Sequence, residues 1–233
     1  MRSTLVAACA AFLLSSVAAL AQDPAVAEPA SRLQSSSPSR PSPSRGPFLR
    51  AYFHLDATTL AAVDTFDAVI GTSRLSMPGG GGEALNLWKG LFARVAFSSV
   101  RETGSRVVVI DDEVIRLGIP LTVELTPIEF AGGWRFPAFA ARRLVPYVGG
   151  GMLRMGYRET SDFAIGNDNT DTSFTGGLVF GGIEASIVSW VIAGAEVQYR
   201  TVPDALGAGG VSEAFGDTDL GGVTVRVLVG IRR

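Results

Sequence analysis

The sequence contains almost no cysteine, histidine or lysine: Cys9, His54 and Lys89 are single examples among 233 residues. One cysteine excludes an intrachain disulfide and a cysteine-based metal site, and one histidine argues against a histidine-rich zinc site. The other 19 of the 20 basic residues are arginine. Because water-facing surfaces normally use lysine freely, little of the folded surface is expected to face open water.

Long hydrophobic runs are also missing after the N-terminus, although 47% of the residues are hydrophobic. No later stretch reaches the roughly 18 apolar residues that a membrane-spanning helix needs. A formal net charge of -2 provides no basic surface for nucleic acid. The hydrophobic content is too high for a chain that is disordered throughout. The apolar residues therefore have to be accommodated by strands or by short helices.

Residues 1–21 have the pattern of a secretory signal peptide. Arg2 forms a short basic region, residues 5–17 are apolar, and Ala19-Leu20-Ala21 fits the small-x-small cleavage rule. An uncleaved membrane anchor would need about 20 apolar residues, more than this segment has. We expect residues 1–21 to be removed.

A proline- and serine-rich segment follows the signal peptide. Residues 22–46 show no apolar periodicity and cannot bury enough surface to offset the entropy lost on ordering, so we predict a disordered linker. The folded part is then a single domain, residues 47–233.

The folded part is dominated by apolar and polar residues that alternate with a period of two, which is typical of strands. The last segment is the clearest, because four valines and Ile231 alternate with Thr224, Arg226 and other residues. Similar segments occur near residues 49–56, 85–87, 91–98, 118–136, 144–158, 172–185 and 191–200. We expect a bulge near Pro127, where the alternation changes phase.

The links between the eight segments alternate between long and short. The long or polar links are residues 58–82, 101–113, 159–171 and 202–219, and the short ones are 89–90, 137–143 and 187–189. An even number of strands with this layout predicts an all-β fold, an eight-stranded antiparallel up-and-down transmembrane β-barrel.

Smaller features lie within the long links. Residues 106–110 and 114–117 could extend a hairpin above the membrane, and residues 64–67 could form a helical turn. The glycine run at residues 79–82 is interpreted as a flexible lead-in to the second strand, because no lysine with serine or threonine follows to make a phosphate loop.

The composition of the two strand faces indicates which face meets lipid. A soluble lipocalin-like cup would carry lysine and many glutamates on its outside. The polar face instead carries arginine, glutamate, glutamine and glycine in sparing numbers, which suit paired contacts in a narrow interior. We predict a charge network in a side-chain-filled lumen: Arg50, Arg94, Glu124, Arg154, Glu184, Glu196, Arg200 and Arg226. Aromatic residues near strand ends suit an interfacial girdle: Trp134, Tyr147, Tyr157, Trp190 and Tyr199.

The signal peptide, the glycine-rich segment at residues 145–151 and the alternating segment at residues 222–231 resemble the small OmpA-like outer-membrane β-barrel family. The resemblance spans residues 48–233. It implies the outer membrane of a Gram-negative-type bacterium and assembly by the outer-membrane insertion machinery. We expect a monomer that contacts outer-membrane lipid and binds no nucleic acid.

Two features contain residue types that are used in catalysis or metal binding. His54 shares a predicted inward face with Asp56, and a lipid-modifying barrel enzyme would need a histidine, but we interpret His54 as a hydrogen-bonding interior residue. Residues 162–171 are rich in oxygen ligands without the spacing of an EF-hand, and a solvated loop is the preferred interpretation. We therefore predict no catalytic, cofactor-binding or metal site.

These observations favour a non-enzymatic outer-membrane barrel with a structural or surface-interaction role carried by its extracellular loops. A narrow channel for small solutes is the first alternative, and a lipid-modifying enzyme and a soluble lipocalin-like barrel are the others.

Overall fold

The computed structural model describes residues 46–110, 113–136, 144–161, 169–207 and 210–232. The predicted signal peptide and nearly all of the predicted linker lie outside these residues, as does the predicted short link at residues 137–143. Within the described ranges the elements are β1 (Phe48–Leu60), α1 (Val63–Ile70), β2 (Arg74–Leu85), β3 (Leu91–Ser98), β4 (Val100–Ile110), β5 (Glu113–Arg135), β6 (Leu144–Thr160), β7 (Thr170–Ser186), β8 (Val191–Thr201), α2 (Gly210–Phe215) and β9 (Gly222–Arg232). Neither helix in these ranges has the length and apolarity to cross a membrane.

The strands form one antiparallel sheet that closes on itself. Its order is β3-β2-β1-β9-β8-β7-β6-β5-β4, and β3 also pairs with β5. Phe97 pairs with Ile128 and Val100 pairs with Leu125 in one continuous register, so β3 and β4 are two halves of a single barrel strand interrupted at Ser99. The described strands therefore build the predicted eight-stranded antiparallel barrel, which is confirmed.

The second strand starts earlier than its alternation indicated. Residues 79–82 lie within β2 and pair with β1 and β3, so the prediction of a flexible glycine lead-in is wrong. The reason is close packing: a Cβ atom on Gly81 would lie 2.7 Å from the Tyr52 hydroxyl, and one on Gly79 would lie 2.6 Å from Cε1 of His54. Glycine at these two positions leaves room for inward side chains of β1.

The predicted bulge near Pro127 is also wrong. The register of β5 with β6 runs through Pro127 without a shift, and Leu125, Pro127 and Glu129 are all buried on the same face. The sequence pattern resembles a change of phase because the interior side chains change from apolar at Leu125 to charged at Glu129. The register shift in this part of the sheet lies instead between Ser105 and Val107 of β4.

Two predicted features are present at the upper end of the barrel, which is the end opposite the short turns. Val107, Val108, Val109 and Ile110 pair with residues 113–116, so the hairpin does continue above the barrel. The predicted helical turn is longer than expected and forms α1, which ends at Gly71 in the left-handed conformation. This helix packs against β4 so closely that a Cβ atom on Gly104 would lie 2.9 Å from the Cα of Ile70.

An apolar band surrounds the lower part of the barrel. Along β9 the outward residues from Val223 to Ile231 are each about half exposed, and Phe53 on β1 is 73% exposed. Eight steps of about 3.4 Å, inclined by about 40°, give this band a height of about 20 Å. Above the band the outward positions become polar, as at Glu124 on β5 and Arg158 on β6.

The close packing in β2 generates a stability prediction. Gly81→Ala should lower the free energy of unfolding by about 1–3 kcal/mol, because the added methyl group overlaps the Tyr52 hydroxyl and the backbone of Val95. Gly82→Ala is the matched control, since its Cβ atom would meet nothing nearer than the Arg50 carbonyl at 3.8 Å. A lower free energy of unfolding should appear as a lower midpoint temperature for loss of the folded band in heat-modifiability gels, which is the measurement. Equal midpoints for the two variants would contradict the packing argument.

Candidate functional site

Three groups of ion pairs occupy the interior of the barrel at membrane height. The first group lies nearest the end of the barrel that carries the short turns. Arg50 of β1 donates to Glu184 Oε2 at 2.9 Å and also contacts Glu184 Oε1 and Glu83. Glu83 is the cross-strand neighbour of Arg50, whereas Glu184 belongs to β7 and reaches it across the lumen. Arg135 at the end of β5 also donates to Glu184. One carboxylate thus joins three strands of the wall.

The second group is centred on Arg94 and Glu196. The guanidinium of Arg94 donates to both carboxylate oxygens, at 2.6 and 2.8 Å, and Gln198 donates to Glu196 Oε1 at 2.5 Å. Arg94 also lies 3.8 Å above the ring of Phe180. This combination of a bidentate ion pair and a cation–π contact fixes the arginine in the middle of the lumen.

The third group contains two arginines and two carboxylates. Arg226 donates to Asp56 from Nε at 2.7 Å and to Glu129 from Nη1 at 3.0 Å. Arg200 donates to the same two carboxylates at 2.9 and 2.5 Å. All four residues are at most 1% exposed. Arg226 is the cross-strand neighbour of Asp56, so each arginine connects β1, on its own side of the barrel, to β5 across the lumen.

His54 lies at the edge of this third group. Its side chain is fully buried, and Nδ1 lies 2.9 Å from Asp56 Oδ1. The ring is tilted against Tyr52, with 5.8 Å between the centroids. In the neutral histidine, Nδ1–H donates to the carboxylate, so the ring helps to orient Asp56 between its two arginines.

We call these ten charged residues the charge network: Arg50, Asp56, Glu83, Arg94, Glu129, Arg135, Glu184, Glu196, Arg200 and Arg226. Five are arginines and five are carboxylates, so their formal charges cancel. An isolated buried charge would be strongly unfavourable, but each member here contacts at least one residue of opposite sign. The narrow interior of an eight-stranded barrel is filled by these side chains.

Six of the eight residues predicted for a lumen network lie in the charge network: Arg50, Arg94, Glu184, Glu196, Arg200 and Arg226. Glu124 and Arg154 do not, and this part of the prediction is corrected. Glu124 faces outward between Thr122 and Thr126, and Arg154 is exposed and donates to Ser173 Oγ at 2.8 Å. At this height the interior is apolar, and the inward positions are taken by the residues next to these two in sequence.

Sequence reasoning missed four members of the charge network: Asp56, Glu83, Glu129 and Arg135. Asp56 was placed on the inward face, but only as a neighbour of His54. Glu83 was hidden by the incorrect start of the second strand, and Glu129 by the expected bulge. Unbroken alternation from Leu125 through Glu129 was the signal that would have identified Glu129.

The aromatic residues divide between the two faces. Trp190 and Tyr199 are more than half exposed on the outside, as a girdle requires, whereas Tyr147 is buried in the lumen against Phe92 and Phe180. Tyr157 also packs against the buried interior. The prediction that Tyr147 and Tyr157 belong to a girdle is therefore wrong, because both share the inward face of β6 with Leu153 and Met155.

An apolar layer lies directly above the charge network. It is formed by side chains that are at most 2% exposed: Leu60, Met77, Leu125, Leu153, Met155 and Leu220. Together with Val202 and other buried residues they form one hydrophobic cluster with α1. Ion pairs therefore fill the lower lumen together with the rings of Phe92, Tyr147 and Phe180, and aliphatic side chains fill it above.

A cavity of about 310 Å³, here called the outer cavity, lies beyond the apolar layer. It is bounded by α1, α2, β6 and the β4–β5 hairpin. Tyr157 donates to Glu159 Oε2 at 2.8 Å on its wall. Burial and the negative charge of Glu159 raise the pKa of Tyr157, so this phenol stays protonated as the donor.

The oxygen-rich segment at residues 162–171 falls mostly outside the described residues. Of its described part, Asn169 accepts a hydrogen bond from the Ser161 amide and Asp171 pairs with Arg158. Among the residues that the structure describes, no three histidine, cysteine or acidic side chains are arranged to hold a metal ion.

The fold and its surface together define a class of protein. A soluble barrel would place its charges outside and its hydrocarbon inside, but here the charge network is buried and the apolar band faces outward. This is the arrangement of a barrel that spans a lipid bilayer. The chain is therefore a membrane-spanning β-barrel protein with eight barrel strands.

Comparisons with solved structures return proteins of low sequence identity to this chain. The outer membrane protein OprG of Pseudomonas aeruginosa has a TM-score of 0.48 at 10% identity, over 80% of this chain and 95% of that one. Neisserial surface protein A has a TM-score of 0.45 at 12% identity, over 80% and 97%. The attachment invasion locus protein Ail of Yersinia pestis has a TM-score of 0.45 at 10% identity, over 82% and 100%. No protein-family model matches the sequence, and no curated protein matches it.

The charge network generates a second stability prediction. Arg226→Met should lower the free energy of unfolding by about 3–5 kcal/mol, because it leaves Asp56 and Glu129 buried with less positive charge. The same substitution at exposed Arg154 should leave the free energy unchanged within error. Reversible urea unfolding in lipid vesicles, followed by tryptophan fluorescence, measures both. If Arg226→Met lowers the free energy of unfolding no more than Arg154→Met does, the buried ion pairs do not stabilise the barrel as predicted.

Proposed function

We propose that this protein is a non-enzymatic outer-membrane barrel with a closed lumen, and that its role is structural and adhesive, carried by the extracellular β4–β5 hairpin. The filled lumen supports the first half of this proposal. The exposed apolar face of the hairpin supports the second half.

Two features support a closed lumen. An ion or solute that entered from below would have to separate pairs such as Arg94 and Glu196, whose two hydrogen bonds are 2.6 and 2.8 Å long. Above them it would meet the apolar layer, in which Leu125 and Leu153 are completely buried. Hydrocarbon offers no hydrogen bonds to replace a hydration shell, so the second barrier opposes charged solutes even if the ion pairs rearrange. A narrow channel is therefore the less supported alternative.

The hairpin has an apolar face in a place where water is expected. Val108 pairs with Ile115, and Ile110 and Leu117 lie on the same face. These four side chains are between 39% and 53% exposed, although they lie above the apolar band that contacts lipid. A contiguous apolar face on an extracellular element is typical of a contact surface. We infer that this face makes the protein's external contacts.

The enzyme alternative has less support because of the position of His54. A lipid hydrolase needs its base within reach of substrate at the edge of the bilayer. The His54 side chain is fully buried in the lumen and is hydrogen-bonded to Asp56, which two arginines hold in turn. This arrangement favours a structural role for the histidine.

The proposal includes a monomer assembled by the outer-membrane insertion machinery. The first and last strands, β1 and β9, pair along their lengths from Leu60↔Gly222 to Arg50↔Arg232. The pairing supports a monomer, since the closed wall needs no strand from a second chain.

Conductance tests the closed lumen. The full chain, folded and inserted into planar lipid bilayers, should give no steady open-channel current, because ion pairs and hydrocarbon fill the interior in series. A general porin added to the same bilayer afterwards verifies that the membrane reports conduction. Steady open-channel currents from the wild-type barrel would overturn this part of the proposal in favour of the narrow channel.

Cell adhesion tests the hairpin. Bacterial cells that display the full chain should partition into hexadecane more than cells without it, and Ile110→Ser with Ile115→Ser should remove the increase. Each substitution replaces an isoleucine side chain whose full burial is worth about 1.5–3 kcal/mol. Ile187→Ser with Val188→Ser is the matched control, because these exposed residues lie in the turn at the opposite end of the barrel. Unchanged partitioning of the hairpin variant, at equal amounts of folded protein, would contradict an adhesive role.

A further inference from the structure

We propose that the outer cavity is a binding site for a small, uncharged, mainly apolar molecule that carries a hydroxyl or a similar polar group. The site is separate from the closed lumen and from the hairpin tip. Its volume of about 310 Å³ lies at the lower end of the range of small-molecule sites, which bury most of a ligand in a concave apolar wall.

The position of the cavity follows from the break in the third barrel strand. Below Ser99, β3 pairs with β2, but above it β4 pairs only with β5 in the ladders that the structure describes. The helices α1 and α2 pack beside β4 at this height and fill the gap only in part. The space they leave is the outer cavity. It is a consequence of the architecture and not of one missing side chain.

The wall of the cavity is mostly hydrocarbon. Phe66 and Val69 of α1 face Leu121 and Val123 of β5 across it. Phe66, Leu121 and Val123 are at most 4% exposed, so the floor is fixed by packing in the same hydrophobic cluster as the apolar layer. An apolar group that enters this space removes its own surface and that of the wall from water.

The polar groups of the wall select against a charged ligand. Arg106 and Glu159 both line the cavity and have opposite charges, and Tyr157 donates to Glu159. A ligand with net charge would be desolvated against leucine and valine and would meet charges of both signs. A neutral hydroxyl can accept from a guanidinium and donate to a carboxylate, so it matches both.

The mouth of the cavity opens at the exposed apolar face of the hairpin. Val108 and Leu117 line the cavity and are 39% and 48% exposed. A molecule can therefore reach the site from outside the cell without crossing the apolar layer.

Methyl NMR of the full chain in phosphatidylcholine nanodiscs tests the proposal, with 1-naphthol as the probe. It is neutral and aromatic and carries one hydroxyl. The methyl signals of Val69, Leu121 and Val123 should shift and saturate, with nuclear Overhauser effects between them and the naphthol ring. The outward methyls of Val227 and Val229 should shift in proportion to the naphthol added, because the dissolved probe also partitions into lipid.

A matched pair of variants locates the site. Val123→Phe fills the cavity and should weaken binding more than tenfold, whereas Val225→Phe makes the same change on the lipid-facing side of β9 and should leave affinity unchanged. If Val123→Phe does not fold, the Overhauser effects between the cavity methyls and the naphthol ring in the wild-type protein test the proposal by themselves. Shifts that never saturate, an absence of Overhauser effects to the cavity methyls, or equal binding by a folded Val123→Phe variant would each overturn the proposal.

Discussion

The structure depends on the pairing of buried charges inside a narrow barrel. Arg226 contacts both Asp56 of β1 and Glu129 of β5, and both contacts are direct hydrogen bonds. Charges removed from water are stabilising only when their partners are positioned well, and two planar guanidinium groups in one layer supply that geometry. Closure of the sheet brings these residues together, and their pairing in turn ties opposite walls of the barrel.

This constraint explains the unusual composition of the chain. Arginine can donate to several carboxylates at once and lysine cannot form the same planar pair, so the inward basic positions are arginine, whereas Lys89 lies at an exposed turn over Trp88. The ion pairs fill only the lower interior. Above them the interior changes to leucine and methionine while the outer face changes from apolar to polar. At membrane height the barrel is charged inside and apolar outside. Above the membrane it is apolar inside and polar outside, as in a water-soluble protein.

The sequence alone predicted much of the fold because alternation is a local property. The four valines and Ile231 of β9 reveal their shared face without any knowledge of the partner strands, and the same holds for β1, β3 and β8. Prediction failed where a local pattern has two readings. Residues 79–82 resemble a loop, but Gly79 and Gly81 leave room for the side chains of His54 and Tyr52. Pro127 resembles a bulge but continues the register.

The sequence by itself determined the fold class, the number of barrel strands, the polar lumen and six of the residues that fill it. Only the tertiary structure decided which carboxylate meets which arginine, since Arg226 and Glu129 are 97 residues apart. It also decided that Glu124 and Arg154 face outward. Alternation separates the two faces of a strand, but it does not say whether the interior at a given height is charged or apolar. That depends on the register of all the strands relative to the apolar band, which is a property of the closed barrel.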